Sequence, residues 1–203
     1  MNKYDEVRFK VMRELLGNAE DKILLDIGAG VVRLSKGIKT KKTILVDGEA
    51  KRNPDIVCDL NHEKFPLENE SVDIIIAGEL IEHLFNPFKF FKECNRVLSK
   101  NGFLILSTPN ICSLKNRFKV LFGKLPTNCA EPALYVYEGS YDLQNHVGDF
   151  NFPHLKKMLE MTGLKISDAR CDGIFIKDKL IIPGSLIPPS LGEKLIVKCV
   201  RER

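Results

Sequence analysis

Two acids and two glycines stand where they could handle a nucleoside-like ligand. Ile23-Leu24-Leu25-Asp26-Ile27 is a short apolar run carrying one carboxylate, and Gly28 and Gly30 follow it. Glycines at a strand exit let a ligand approach the backbone itself. A second apolar run ends in Asp47, roughly 20 residues on, where a carboxylate can accept hydrogen bonds from both hydroxyls of a ribose. Asp26 can receive an ammonium group, directly or through water. Asp59 follows a third short run, Ile56 to Cys58. An acid there could take the exocyclic amine of adenine, and Leu60 could offer its backbone N–H to a ring nitrogen. Arg33 holds the position where a third glycine would complete a dinucleotide fingerprint, which argues against a pyrophosphate resting on a helix N-terminus. The pattern describes a nucleoside with an ammonium-bearing arm and no diphosphate.

The elements that must carry these residues follow from apolar periodicity. Residues 5–18 read as a helix with Val7, Val11, Leu15 and Leu16 on one side. Strands are expected at 22–27, 43–47, 56–58, 72–77, 103–107, 164–169 and 193–200, with a short helix over 31–38. The run 72–77 is almost continuously β-branched, as suits a central parallel strand. Asn86-Pro87 predicts the cap and first turn of an amphipathic helix over 88–98. Asn101-Gly102 predicts a turn, and further helices are expected around 112–122 and 152–162, the latter closed by Gly163. Residues 61–70 and 183–192 read as loops. The sum is an α/β fold, Rossmann-like and doubly wound, with a mostly parallel seven-stranded sheet ending in a C-terminal antiparallel strand pair. Residues 1–203 are expected to form a single domain. The stretch 111–150 has no clean period and is too long for an idle connection, so it is expected to be an inserted lid over an acceptor pocket.

Composition narrows the class. The 203 residues are 44% hydrophobic and carry a net charge of +4, which suits a globular domain and gives no strong nucleic-acid signal. Basic residues gather at 36–42 and 115–124, readable as solvated surface or as contacts to an anionic substrate. The six cysteines show no CxxC or His/Cys spacing, so no metal site is expected. Cys58, Cys94 and Cys199 sit in apolar contexts and read as buried. No leading signal or membrane-spanning run is seen, so a reducing cytoplasm is the expected compartment. The apolar, proline-rich residues 180–191 leave loose membrane association open.

The stretch from Phe65 to Leu84, centred on Val72-Asp73-Ile74-Ile75-Ile76-Ala77-Gly78-Glu79-Leu80-Ile81-Glu82-His83-Leu84, resembles the class I S-adenosylmethionine-dependent methyltransferases. The branch resembled is the small-molecule one, with ubiquinone-biosynthesis-like and polysaccharide-associated members. Asn86-Pro87, Glu93, Arg96-Val97-Leu98, Asn101-Gly102 and Thr108-Pro109-Asn110 continue the likeness. The resemblance implies S-adenosylmethionine as cofactor and S-adenosylhomocysteine as product. It implies that Asp26, Gly28 and Gly30 shape the methionine end of the cofactor site and that Asp47 holds the ribose. Asp59 and Leu60 match the adenine-reading pair, and Glu79 and Leu80 line the cofactor near its methyl group. Glu82 and His83 match a pair at the rim of the reaction site. The family's third glycine falls at Val32, a departure that loosens how the methionine arm is held.

Methyl transfer asks the protein for alignment and exclusion of water. A hydroxyl acceptor gains from a general base near neutral pKa, and His83 and His146 are the candidates; His83 also reads as structural. His62 and His154 read as surface or capping residues. Tyr135, Tyr137, Tyr141 and Phe150 could contact an acceptor or pack the insertion. The expected function is methyl transfer to a small-molecule acceptor, through an oxygen of a sugar, lipid-linked or phenolic compound. The alternatives are a non-catalytic S-adenosylmethionine-binding or scaffold protein, a nicotinamide-dependent oxidoreductase, and a nucleic-acid methyltransferase, which lacks a base-flipping signature here.

Overall fold

The computed structural model describes residues 3–28, 30, 33–62, 64–130 and 146–202. Its centre is a seven-stranded sheet in the order β3-β2-β1-β4-β5-β9-β6. The strands are β1 (Ile23–Ile27), β2 (Lys42–Asp47), β3 (Ile56–Val57), β4 (Val72–Gly78), β5 (Leu98–Pro109), β6 (Leu164–Cys171) and β9 (Lys194–Arg201). Strands β1 to β5 pair in parallel, and β9 enters antiparallel between β5 and β6. The expected doubly wound sheet with an antiparallel C-terminal pair is therefore the fold observed. β1 pairs with β2 on one side and β4 on the other, which brings Ile27, Val46 and Ala77 level. The chain leaves the three central strands at one edge of the sheet, and the candidate residues collect there.

Burial follows from the run lengths. Leu24, Leu25 and Ile27 of β1 and Ile74, Ile75 and Ile76 of β4 are fully or almost fully removed from water. Each such side chain contributes about 1.5–3 kcal/mol of transfer free energy. On one face the sheet packs against α2 (Pro87–Val97) and α4 (Phe152–Glu160), through Phe90, Phe91, Cys94, Leu155 and Leu159. On the other it packs against α1 (Lys3–Leu16), through Phe9, Met12, Leu15 and Leu16. The Asn86 side chain accepts from Lys89 N–H at 3.0 Å, with Pro87 in the first turn, as its sequence predicts. Gly163 follows α4 with φ +77°, the left-handed conformation that suits a helix exit.

Several expectations need correction. Residues 34–37 form turns, not part of a helix. Leu34 and Ile38 still reach the α1 side of the core, so the helical spacing is satisfied without the helix. The buried stripe of α1 runs through Phe9 and Met12, while Val7 and Val11 are only half-buried. Asn101-Gly102 lies inside β5, at a register irregularity opposite Val72 to Ile74. A Cβ on Gly102 would come within 2.9 Å of the Asp73 carbonyl oxygen. The run before β9 holds a hairpin that was not anticipated, β7 (Gly173–Ile176) with β8 (Lys179–Pro183), followed by two short 3-10 turns. α3 (Leu114–Leu121) lies where a helix was expected. Val32, Tyr135, Tyr137, Tyr141 and the middle of the expected lid lie outside the described residues. Phe150 is a core residue, 3% exposed.

Candidate active site

A cavity of about 920 Å3 opens at the carboxyl ends of β1, β2, β3 and β4, a size that suits a cofactor with its substrate. Gly28, Gly30, Asp47, Asp59, Leu60, Glu79, Leu80 and His83 all line it. Asp26 does not. It is buried behind the wall and its Oδ2 accepts from Ser35 N–H at 3.1 Å. Burial raises its pKa, against the opposing pull of that hydrogen bonding.

The glycine turn has a steric reason. Gly28 and Gly30 have φ +65° and +55°, conformations that L side chains rarely adopt. Gly28 donates its N–H to Val46 O at 2.8 Å, tying β1 to β2. A Cβ on Gly28 would meet Leu80 Cδ1 at 2.8 Å, whereas one on Gly30 would meet only the Gly28 carbonyl oxygen, at 3.8 Å. A side chain at Gly30 would thus take up cavity space.

Asp47 ends β2 with 3% exposure. Its Oδ2 accepts from Gly30 N–H at 3.2 Å and its Oδ1 from Glu49 N–H at 2.9 Å, so the carboxylate clamps the glycine loop. Arg52 also reaches Oδ2, at 3.2 Å, and pairs with Glu49 at 2.5 Å. Sequence reasoning missed Glu49 and Arg52, which both line the cavity; the signal was their place in the first turn after β2. Asp59 is exposed at the mouth. Hydrogen bonding from His62 (Nδ1 to Oδ2, 2.8 Å) and from Asn61 N–H lowers its pKa. His62, read as surface, is an exposed residue of the cavity mouth.

Glu79 leaves β4 with φ +52° while its N–H donates to Ser107 O. Its carboxylate is engaged by Lys194 of β9, by the Ser107 hydroxyl at 3.1 Å and by Arg8 of α1 at 3.5 Å. Burial pushes Glu79 up, but Lys194 and Arg8 outweigh it and hold the carboxyl below its ordinary value. Arg8 and Lys194 had no place in the sequence reading of the site. They come from the N-terminal helix and the last strand, and no local pattern links them to Glu79.

Behind this wall sits Glu82, 1% exposed. Its Oε2 accepts from the Thr108 hydroxyl at 2.9 Å, and its backbone carbonyl accepts from Val147 and Gly148 N–H. Oε1 is buried without a hydrogen-bond partner among the described residues. Burial, then repulsion from Glu79, raises the Glu82 pKa to about 8. These backbone bonds bring His146 against His83, with ring centroids 5.0 Å apart in an edge-to-face arrangement. One donor atom each from Glu82, His83 and His146 falls within 4.8 Å of the others. Two imidazoles and a carboxyl at that spacing can pass a proton among themselves or share a cation.

A family profile described as "Methyltransferase domain" matches residues 25–106, which span β1 through most of β5. A Mycobacterium tuberculosis protein named "Probable S-adenosylmethionine-dependent methyltransferase" is 43% identical over 141 residues, covering 67% of this chain and 48% of the relative. The chain therefore spans about half the length of that curated relative. Among solved structures, a Thermotoga maritima S-adenosylmethionine-dependent methyltransferase described as a "possible histamine N-methyltransferase" superimposes with TM-score 0.67 at 18% identity, covering 98% of this chain and 89% of the other. Burkholderia thailandensis 1,6-didemethyltoxoflavin-N1-methyltransferase, solved with its substrate and S-adenosylhomocysteine, superimposes with TM-score 0.59 at 12% identity, covering 99% and 79%. Residues 25–106 thus match a methyltransferase-domain profile, and the strand order gives the chain the fold of solved S-adenosylmethionine-dependent methyltransferases.

Proposed function

We propose that this chain transfers a methyl group from S-adenosylmethionine to an oxygen of a small-molecule acceptor. The observation that carries this reading is the convergence of Gly28, Gly30, Asp47, Asp59, Leu60, Glu79, Leu80 and His83 on one cavity. The residues fit the cofactor: the glycine turn keeps side chains out of the space, and a buried carboxylate stands at the end of β2 to receive hydroxyl donors. S-adenosylmethionine supplies a methyl group already electrophilic on its sulfonium sulfur. Asp47 accepts the ribose hydroxyls, with Arg52 yielding its place on Oδ2. Asp59 and the Leu60 backbone receive the adenine. Glu79 and Leu80 form the wall near the reacting end. Leu80 also backs Gly28, so wall and turn are positioned together.

An acceptor hydroxyl loses its proton as its oxygen takes the methyl group. His83 faces the cavity and serves as the base, with His146 and Glu82 beside it. His146 Nδ1 lies 2.9 Å from the Asn128 carbonyl oxygen, which only accepts. The proton therefore sits on Nδ1, and Nε2 keeps its lone pair. In this reading residues 1–203 act as one domain, with 111–150 covering the acceptor. All six cysteines are free thiols, which suits a reducing cytoplasm.

Calorimetry with S-adenosylhomocysteine and with NAD tests the cofactor. The expected result is binding of the first and not of the second; the reverse would sink the assignment. Release of S-adenosylhomocysteine from S-adenosylmethionine, driven by a panel of sugar, phenol and lipid-linked hydroxyl compounds, tests the enzyme. Tight cofactor binding with no turnover across that panel would favour the non-catalytic reading instead.

A further inference from the structure

We propose that α3 and the β7–β8 hairpin together form a surface that docks on an anionic lipid bilayer. The amphipathicity of α3 is inverted. Its only buried residue is Asn116, while Phe118, Val120 and Leu121 are 55%, 57% and 74% exposed. The polar side faces inward because Asn116 is a structural bracket. Its amide donates to the Asn110 and Thr127 carbonyls, and its Oδ1 accepts from Thr127 N–H at 2.8 Å. The apolar side therefore points at solvent. Phe122 and Leu125 extend it past the helix end, at 73% and 76% exposure. The hairpin adds Ile176, at 59% exposure. Helix and hairpin flank one shared cavity of about 520 Å3 whose apolar lining includes Phe118, Phe122, Phe175 and Ile176. Soluble monomers seldom leave so many large apolar side chains together in water.

Charge selects the occupant. Residues 111–130 contain Lys115, Arg117, Lys119 and Lys124 and no acid. Lys115, Lys119, Lys124 and Lys177 line the same cavity as the exposed phenylalanines. Outward leucine and phenylalanine ringed by cations is the chemistry of a helix lying in the interface of an anionic membrane, with side chains in the acyl boundary and ammonium groups among phosphates. Two copies of this chain meeting through the patch would bring like charges face to face. No helix among the described residues is long and apolar enough to cross a membrane.

Vesicle flotation of the whole chain tests this, using phosphatidylcholine vesicles with and without phosphatidylglycerol. The chain should float with the phosphatidylglycerol vesicles, much less with phosphatidylcholine alone, and less at high salt. Leu121→Asp/Phe122→Asp and, separately, Lys124→Glu/Lys177→Glu should each weaken partition by about tenfold or more. S-adenosylhomocysteine binding should be unchanged in both variants, which shows that they fold. Absence of flotation, equal binding to neutral and anionic vesicles, or variants that float like the parent would overturn the proposal. So would a concentration-dependent dimer that Leu121→Asp/Phe122→Asp abolishes in a chain that does not bind vesicles.

Discussion

The imidazole rings of His83, on the cavity wall, and of half-buried His146 meet edge to face with centroids 5.0 Å apart. Two backbone bonds from Val147 and Gly148 to the Glu82 carbonyl hold the pair in register. Because His146 Nδ1 faces the Asn128 carbonyl, neutral His146 should be the Nδ1–H tautomer. Imidazole 15N shifts at neutral pH will show it, and an Nε2–H tautomer would refute the hydrogen bond. His83→Ala should lower methyl transfer by roughly 100-fold or more if His83 is the base, with S-adenosylhomocysteine affinity little changed.

Asp47 and Arg52 make opposite predictions. Asp47→Asn removes the charge that receives the ribose, and S-adenosylhomocysteine affinity should fall at least tenfold, about 1.5–3 kcal/mol. Arg52→Ala leaves Asp47 Oδ2 with only Gly30 N–H, and affinity should rise several-fold. Calorimetry on both variants checks the pair, and weaker binding by Arg52→Ala would show that Arg52 helps the ligand.

The two turn glycines should separate stability from binding. Gly28→Ala places a methyl group 2.8 Å from Leu80 Cδ1 at φ +65°, and should cost about 1–2 kcal/mol in urea unfolding. Gly30→Ala carries similar backbone strain but meets open space at the cavity. Its loss of S-adenosylhomocysteine affinity should exceed its loss of stability.

Glu79 is held by cations from both ends of the chain. Lys194→Met leaves a largely buried carboxylate with Arg8 as its remaining cation, and should destabilise the fold by about 1–3 kcal/mol. Adding Glu79→Gln should recover part of that loss. A double-mutant cycle from denaturant melts measures the coupling, and strict additivity would show that the pair is not a unit.

Buried acids set an alkaline slope, Asp172 and Glu82 with Asp26 acting in the same direction. Burial raises Asp172 to about 7, and burial with Glu79 repulsion raises Glu82 to about 8, from ordinary values of 3.8 and 4.5. Each favours the folded state while protonated. Their stabilising effect is complete below about pH 4 and is lost as pH climbs toward 7 for Asp172 and 8 for Glu82. Each acid contributes a loss of up to about 1.4 kcal/mol per pH unit within its window. Asp172→Asn and Glu82→Gln should each flatten the decline in melting temperature between pH 5 and 8, and an unchanged slope in both would refute the burial argument.

Much of the site was legible because it lies at strand ends. A run such as Val72 to Ala77 declares a buried strand, and the residue that follows it must emerge at the sheet edge. Asp47 and Asp59 could be placed on that ground from the sequence alone, whereas Glu79 was placed by the resemblance of the stretch that carries it. The short helix over 31–38 was misread because Leu34 and Ile38 satisfy a helical spacing while packing on α1 from a turn, and so few residues repay little of the cost of nucleating a helix. The hairpin β7–β8 falls between the strand expected at 164–169 and the loop expected at 183–192, where two apolar runs of three or four residues are too short to declare strands by period alone.

The amino-acid sequence by itself determined the strand order's raw material, the glycine turn and the acids that ring the cavity, since each depends on short-range periodicity and on where a strand stops. Only the tertiary structure decided what those acids face. Asp26 turned inward to Ser35, Arg52 settled on Asp47, Lys194 and Arg8 took hold of Glu79, and His146 came to rest on His83. Most of these partners are far apart in sequence. They meet because β9 inserts between β5 and β6 and α1 closes one face of the sheet, and side-chain electrostatics depend on that three-dimensional proximity.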